Sequence, residues 1–587
     1  MFKLARYLKY FKKQVIVGPI FKLTEAIFEL IVPLVMANII DIGVKNNDIN
    51  YVIKMGGVLL LLGFTGLCCA LVCQYYASRA SQGVGTMLRN DLFRHICSLS
   101  HAEIDKFGTP SLITRLTSDV NQLQLAVAML IRLVIRAPFL ASGAIVMAMI
   151  LDLKLSIIFL TATPLIVAVL YFVMSRSIPF FKTIQKKLDR VSLITRENLE
   201  GARVIRAFSK QKEENDRFED ASEDWTKSAI SVGKLSALLN PLTYVIMNLA
   251  IVAIIWVGGI RVDTGILTQG EIIAFVNYMT QILLALVVVA NLVVIFTKAS
   301  ASASRVNEIF DTKPSVVEGN FENAKNTSNS DNAIEFKNVS FSYSKDVESA
   351  LSDISFSVKK GSTVGIIGGT GSGKSTLINL IPRLYDTTSG DVLINGVNVK
   401  EYPFNELRSK IGVVPQNAAL ISGTIADNLR WGNKDATIED MTRAAKTAQA
   451  YEFIEKLPCG FDSPVLQGGK NLSGGQKQRL TIARALTGSP EILILDDSAS
   501  ALDFATDAAL RKAIKRDTDN MTVIMVSQRV GTIKSADMIV VIDDGKISGI
   551  GTHEELIENC PLYREICISQ LSEDELSSSN IKKGAIE

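Results

Sequence analysis

Residues 368–376 read Gly368-Gly369-Thr370-Gly371-Ser372-Gly373-Lys374-Ser375-Thr376. They fit G-x-x-x-x-G-K-[ST], and they stand between a β-like run, Thr363–Ile367, and a stretch of helical composition, where that pattern has to stand. The residue types commit the segment to binding phosphate. Glycines let successive backbone N–H groups converge on one anion. A helix opening near Lys374 turns its positive end to the same anion. Lys374 brings a full charge to the β- and γ-phosphates, and Ser375 offers a hydroxyl to Mg²⁺. The metal also needs a carboxylate, and the apolar run Ile492-Leu493-Ile494-Leu495 ends in Asp496. A buried strand ending in that side chain suits a metal contact, direct or through water.

A second motif narrows the chemistry. Asn471-Leu472-Ser473-Gly474-Gly475-Gln476 opens a helix, with Ser473 lying 23 residues before Asp496. LSGGQ is the signature of ATP-binding cassette proteins, and nearly the whole chain resembles an ABC exporter half-transporter, six spans followed by one cassette. The resemblance implies an ABC-type transporter ATPase that uses ATP and Mg²⁺. It assigns Gly368 through Thr376 to the nucleotide, Tyr343 to the adenine ring, and Gln416, in VVPQN, to the metal beside Ser375 and Asp496. It reads Ser500-Ala501-Leu502-Asp503 as the D-loop. EGARVIRAF, with Arg203 and Phe208, resembles the second cytoplasmic arm, and PSLITRLTSDV (110–120) the first coupling region. In that family two cassettes close around two ATP molecules, so Ser473, Gly475 and Gln476 would complete the site of a second chain.

The chain departs from the family at the reacting end. Asp497 follows Asp496 where the general base is Glu, and Gln528, in Val526-Ser527-Gln528-Arg529, stands where the switch is His. Gln467 also stands where Glu is expected just before the signature. Asp is one methylene shorter, so its carboxylate falls about 1–1.5 Å short of the attacking water, and about 1 Å can cost on the order of 10²-fold. Gln has no cationic form. The phosphate loop and Asp496 are therefore expected to bind Mg-ATP well, and Asp497 and Gln528, at the catalytic positions, to hydrolyse it poorly. The intact signature points to a second, non-identical half-transporter as partner. A homodimer in which Asp497 works slowly is the opposing reading, and an ATP-gated channel or regulatory membrane subunit is the alternative in another functional class.

Six apolar runs long enough to cross a bilayer lie before residue 300: Val15–Ile40, Val52–Tyr75, Leu125–Ile150, Leu155–Met174, Leu238–Ile260 and Ile272–Phe296. No small-residue cleavage site follows the first, so no removable signal peptide is expected. The segment 175–236 carries thirteen basic residues, and the N-terminus carries Lys3, Arg6, Lys9, Lys12 and Lys13. The alternate loops hold only Lys45, Lys154 and Arg261. That asymmetry puts the N-terminus, the long loops and everything after the sixth span in the cytoplasm of a multi-pass cell-membrane protein. The loops 76–124 and 175–236 have helical charge spacing and are expected to continue the spans as long arms. The basic, aromatic start is either an interfacial helix on anionic lipid or the positive flank of the first span. Glu25 and Glu29 lie one turn apart, as do Arg132 and Arg136. They pair with each other, line a cavity, or snorkel to the inner interface.

These elements predict an N-terminal all-α six-helix transmembrane domain (1–312) with two long cytoplasmic arms. A polar linker (313–333), a C-terminal α/β P-loop cassette with a mainly parallel sheet (334–570) and a flexible tail (571–587) follow. The chain is 48% hydrophobic, which excludes a disordered protein. Sixty-two basic against 59 acidic residues exclude a global basic field and with it a nucleic-acid partner. Seven cysteines without a CxxC pair, and three histidines, argue against a disulfide scaffold or a zinc site; reduced, mostly buried thiols are expected. Membrane lipid and a small amphipathic substrate (an amphipathic compound, lipid or peptide moved outward by alternating access) are the remaining partners that the resemblance implies.

Overall fold

The computed structural model describes residues 2–319, 330–344, 348–498, 501–517 and 520–570. The chain divides into two compact units. One gathers the chain up to Cys97 with Thr109–Thr312, and the other gathers Ser98–Gly108 with the chain from Lys313.

The first unit is helical and, among the described residues, has six helices long and apolar enough to cross a membrane. The expected runs sit inside longer elements. Lys12–Asn38 continues into a π-helical turn, Ile39–Val44, and Ile49–Ser98 runs unbroken for 50 residues. Ile157–Glu200 runs for 44, so the arms are continuous with their spans. The third span is divided by a π-helical segment, Leu130–Val134. Ala26, Leu30, Ala144, Phe159, Ile254 and Tyr278 form part of the apolar core between the helices. Leu60, Leu61 and Phe64 of the second span are exposed, as a lipid-facing surface requires.

Glu29 pairs with Arg136 across the first and third spans at 2.6 Å, one of the arrangements open to those four charges. Glu25 instead pairs with Lys22 on its own helix, also at 2.6 Å, and Arg132 has no ion pair among the described residues. The N-terminal segment Phe2–Phe11 is a 3-10 helix held down by both its polar and its apolar residues. Tyr7 is buried and donates to Asp91 at 2.9 Å, and Lys3 pairs with Asp311 at 2.8 Å.

The second unit has two larger sheets. The four strands Leu351–Lys359, Asn332–Phe341, Ser389–Ile394 and Val397–Asn398 form an antiparallel sheet that the sequence did not announce. The six-stranded sheet runs in the order Lys546–Gly551, Met538–Asp543, Thr363–Ile367, Thr522–Val526, Ile492–Asp496, Ile411–Val414. It is parallel except at the Lys546–Gly551 edge. Its interior strands are buried on both faces, which explains why they read as continuous apolar runs. Val526 is level with Asp496 on one side and Ile366 on the other. Three strands thus end together, and the loops that follow them share one edge of the sheet. All seven cysteines are unpaired; Cys69, Cys73, Cys560 and Cys567 are buried, whereas Cys68, Cys97 and Cys459 are exposed.

The helix that groups with the cassette is His101–Phe107, upstream of the 110–120 stretch that resembles the coupling region. Residues from Thr109 onward belong to the helical unit instead. Gly108, at φ 74°, ends that helix and divides the two groups. The tail 571–587, Ser500 of the D-loop and most of the linker lie outside the described residues.

Candidate functional site

The loop after Thr363–Ile367 turns back on itself through two left-handed glycines, Gly371 at φ 83° and Gly373 at φ 101°. A Cβ on Gly373 would lie 2.8 Å from the Ala350 carbonyl, so this position requires glycine. Around Gly369 and Gly371 a Cβ would meet nothing within 4 Å, which leaves open space on the loop's inner side. Lys374 opens the helix Lys374–Leu380, and its side chain curls back into the loop. Its Nζ donates to the carbonyls of Gly368 (3.0 Å) and Gly369 (2.5 Å) and to Ser372 Oγ (3.3 Å). The ammonium is buried, with no ion pair among the described residues. Burial pushes its pKa down from the ordinary lysine value, while Asp496 and Asp497 pull it back up. A half-desolvated cation under a cradle of backbone N–H groups is a receptor for an anion.

The acidic groups arrive from the neighbouring strands. Ser375 Oγ donates to Asp496 Oδ1 at 3.2 Å. Asp497 takes a left-handed backbone, φ 44°, and its N–H donates to the Val526 carbonyl at 2.9 Å. Gln416 lines the same cavity as Asp497 and lowers the Asp497 carboxyl pKa against the rise from burial. Both carboxyl pKa values are raised, chiefly by burial; for Asp496 the neighbouring charge of Asp497 adds to the rise. Two crowded, desolvated carboxylates favour a cation between them and the phosphates. The donors are hard oxygens, as Mg²⁺ prefers, and among the described residues no three His, Cys, Asp or Glu side chains cage a metal. That is the arrangement of an ion that takes its remaining ligands from phosphate and water, so the residues present fit Mg²⁺ with ATP.

Thr370, Gly371, Gly373, Lys374, Ser375, Thr376, Tyr343, Gln416, Asp496, Asp497 and Gln528 line one cavity of about 290 Å³. Tyr343 is half-exposed; its hydroxyl is 3.0 Å from Thr376 Oγ1, and its ring stands edge-on to Phe341 and Tyr385. Ser473, Gly475 and Gln476 are not in this cavity. They begin a separate helix, Gly474–Thr487, in a capping box. The Ser473 N–H donates to Gln476 Oε1 at 2.9 Å, and Gln476 N–H donates to Ser473 Oγ at 3.3 Å. Ser473 is exposed. Gln467 opens a short 3-10 turn braced by Asn471, whose side chain accepts from Leu466 N–H and donates to the Pro464 carbonyl.

Two groups escaped the sequence reading. Tyr385, against Tyr343, donates to Asp105 at 2.6 Å, and Asp105 lies on His101–Phe107. Gln570 grips the turn that carries Gln528. Neither lies in a motif, and only tertiary contact reveals them.

Comparison with known proteins gives matches at both ends. The model for the ABC transporter transmembrane region matches residues 15–286, and the ABC transporter model matches residues 351–500. An uncharacterized ABC transporter ATP-binding protein of Mycobacterium tuberculosis is 38% identical over 97% of this chain and 97% of its own length. YfiB of Bacillus subtilis, an uncharacterized ABC transporter ATP-binding protein, is 38% identical over 98% of this chain and 99% of its own. A solved structure of a bacterial Atm1-family ABC exporter with ATP bound superposes with a TM-score of 0.77 at 24% identity. The match covers 97% of this chain and 99% of that one, and it establishes the shared fold.

Proposed function

Because the chain belongs to the ABC transporter family, with a transmembrane region and an ABC cassette on one polypeptide, we propose that it is one subunit of an ATP-driven export pump whose own pocket retains Mg-ATP and hydrolyses it slowly. The observation that carries this reading is the composition of one cavity. Lys374, Ser375 and Asp496 meet there as a complete binding set, and Asp497 and Gln528 occupy its reacting end.

Residues 368–376 would hold the phosphates, Tyr343 would face the adenine, and Ser375, Asp496 and Gln416 would hold Mg²⁺, which would supply charge neutralisation to the phosphates. Asp497 orients the attacking water from a carboxylate one methylene short. Gln528 reaches the terminal phosphate with a neutral amide. Binding therefore survives and the chemical step is slow.

Ser473, Gly475 and Gln476 complete the active site of a second, non-identical half-transporter, which supplies the Glu and His that this chain lacks. The exposure of Ser473 away from its own phosphate loop supports that arrangement, as does the exposed apolar group Leu199, Val204 and Phe208 at the tip of the second arm. The multi-pass chain sits in the cell membrane with its cassette in the cytoplasm, and it moves amphipathic compounds, lipids or peptides outward by alternating access. Affinity purification of the tagged chain from its native membrane tests the partnership. We expect two ABC half-transporters of different mass in equal amounts. A single species whose brisk ATPase disappears in Asp497→Asn contradicts the proposal.

A further inference from the structure

The turn that carries Gln528 is an exposed point between two buried ones. Gln528 opens toward the nucleotide cavity, while Ser527 and Val530 on either side are buried. Such a turn presents its side chain at a fixed height only if its backbone is held from more than one direction. On the sheet side, Ser527 N–H donates to the Ile366 carbonyl at 3.1 Å, and Arg529 N–H donates to Ser527 Oγ at 3.0 Å. On the opposite side stands Gln570, the last residue of the helix Pro561–Gln570. Its Nε2 donates to the Gln528 carbonyl at 2.7 Å, and its Oε1 accepts from Val530 N–H at 2.9 Å.

One side-chain amide thus spans the turn with two bonds of opposite polarity. An amide makes both, whereas a carboxylate can only accept. Val530 begins the short helix Val530–Ile533, so its N–H has no partner within that helix. The arm that delivers Gln570 is itself rigid. Tyr563 and Cys567 are buried, Tyr563 Oη lies 2.8 Å from His553 Nδ1, and Arg564 Nε donates to the Ile557 carbonyl at 2.8 Å. Just beyond the turn, Arg511 donates to the Gly531 carbonyl at 3.1 Å, so the next stretch is anchored independently.

We propose that Gln570 is a positioning residue for the switch position: through its paired bonds to Gln528 and Val530 it holds Gln528 toward the terminal phosphate and so sets how long nucleotide stays in this pocket. The inference rests on the Mg-ATP reading of the cavity. Its test uses the purified full-length protein in lipid nanodiscs, with Mg²⁺ and fluorescent N-methylanthraniloyl-ATP. The release phase that is missing in Lys374→Ala identifies this chain's pocket. Gln570→Ala is expected to speed that phase about five- to tenfold, the effect of two ordinary hydrogen bonds. It should also raise amide exchange at residues 527–531. Gln570→Glu, which keeps the acceptor for Val530 and loses the donor to Gln528, should fall between. In a Gln528→Ala background, Gln570→Ala should change release no further.

Unchanged release in Gln570→Ala overturns the inference. So does an equal acceleration in the Gln528→Ala background, because Gln570 would then act through general packing. Fluorescent ATP binding that is undiminished in Lys374→Ala overturns the nucleotide reading instead.

Discussion

If the proposed slow site is right, Asp497→Glu repairs it at its source, and the consequences can be worked from the geometry. The extra methylene advances the carboxylate by about 1–1.5 Å, and a misplacement of about 1 Å costs on the order of 10²-fold in rate. At 1.36 kcal/mol per tenfold, the substitution recovers about 2.7 kcal/mol of barrier. Two features oppose it. Asp497 sits at φ 44°, a left-handed backbone that Asp tolerates through local hydrogen bonding and Glu tolerates less well. The longer side chain must also be accommodated in the cavity that Gln416 lines. Together these cost about 1 kcal/mol of cassette stability, visible as a lower Tm but not as lost nucleotide affinity. The assay is photolabelling of this chain by azido-ATP carrying the label at the α- or the γ-phosphate. On the unaltered chain the γ-label should persist as long as the α-label. On Asp497→Glu it should disappear about 10²-fold faster, and adding Gln528→His should speed it by about a further tenfold through a charge-assisted bond. Equal γ-label lifetimes in the two proteins would refute the degenerate-site argument.

Other perturbations follow from individual contacts. Gly373→Ala places a Cβ 2.8 Å from the Ala350 carbonyl at φ 101°, so we expect at least a tenfold loss of ATP affinity by titration, a cost of about 1–2 kcal/mol, with the fold retained. Tyr385→Phe removes the 2.6 Å bond to Asp105 and should lower stability by about 1 kcal/mol in a thermal melt. Asp105→Ala should match it, and the double variant should add nothing. His553, near Tyr563, has its pKa pushed below the ordinary value of 6.5, chiefly by burial. A depressed cationic pKa favours the fold above the ordinary value, and that contribution disappears as pH falls through the depressed one. The Tm should therefore drop between pH 7 and pH 5.5, and His553→Gln should flatten the drop.

What the sequence disclosed followed the strength of the local signal. Apolar runs marked the spans, and helical charge spacing marked the arms, because a helix leaving the membrane keeps its period when its polarity changes. Thr363–Ile367, Ile411–Val414 and Thr522–Val526 were legible because a strand buried on both faces is apolar throughout. The antiparallel sheet was not, since Asn332–Phe341 alternates buried and exposed residues irregularly across register shifts. Among the site residues, the phosphate loop and signature have fixed spacing and were readable. Tyr385, Asp105 and Gln570 are common residue types outside any motif: Tyr385 meets Asp105 across 280 positions, and Gln570 meets its turn across 40 and 42. The Lys22–Glu25 pair was missed for a different reason: Lys22 was taken for part of the apolar run, whereas its charge is neutralised locally on the same helix.

In the proposed slow site Asp497 and Gln528 belong to one design rather than being separate losses, and their surroundings are consistent with that. A left-handed residue between Asp496 and the next loop suits Asp better than Glu, so the short carboxylate agrees with its backbone. Burial raises the pKa of both Asp496 and Asp497, and a cation relieves that penalty more effectively than catalysis uses it. The switch residue is neutral, and its backbone is clamped by Gln570. On the proposed reading, the residues that would retain nucleotide are present, and those that would hasten its hydrolysis are shortened or uncharged. On the same reading, agreement across backbone, hydrogen bonding and charge distinguishes a pocket shaped for retention from one that has merely decayed, because decay has no reason to keep Lys374 bonded into its own loop and Ser375 bonded to Asp496.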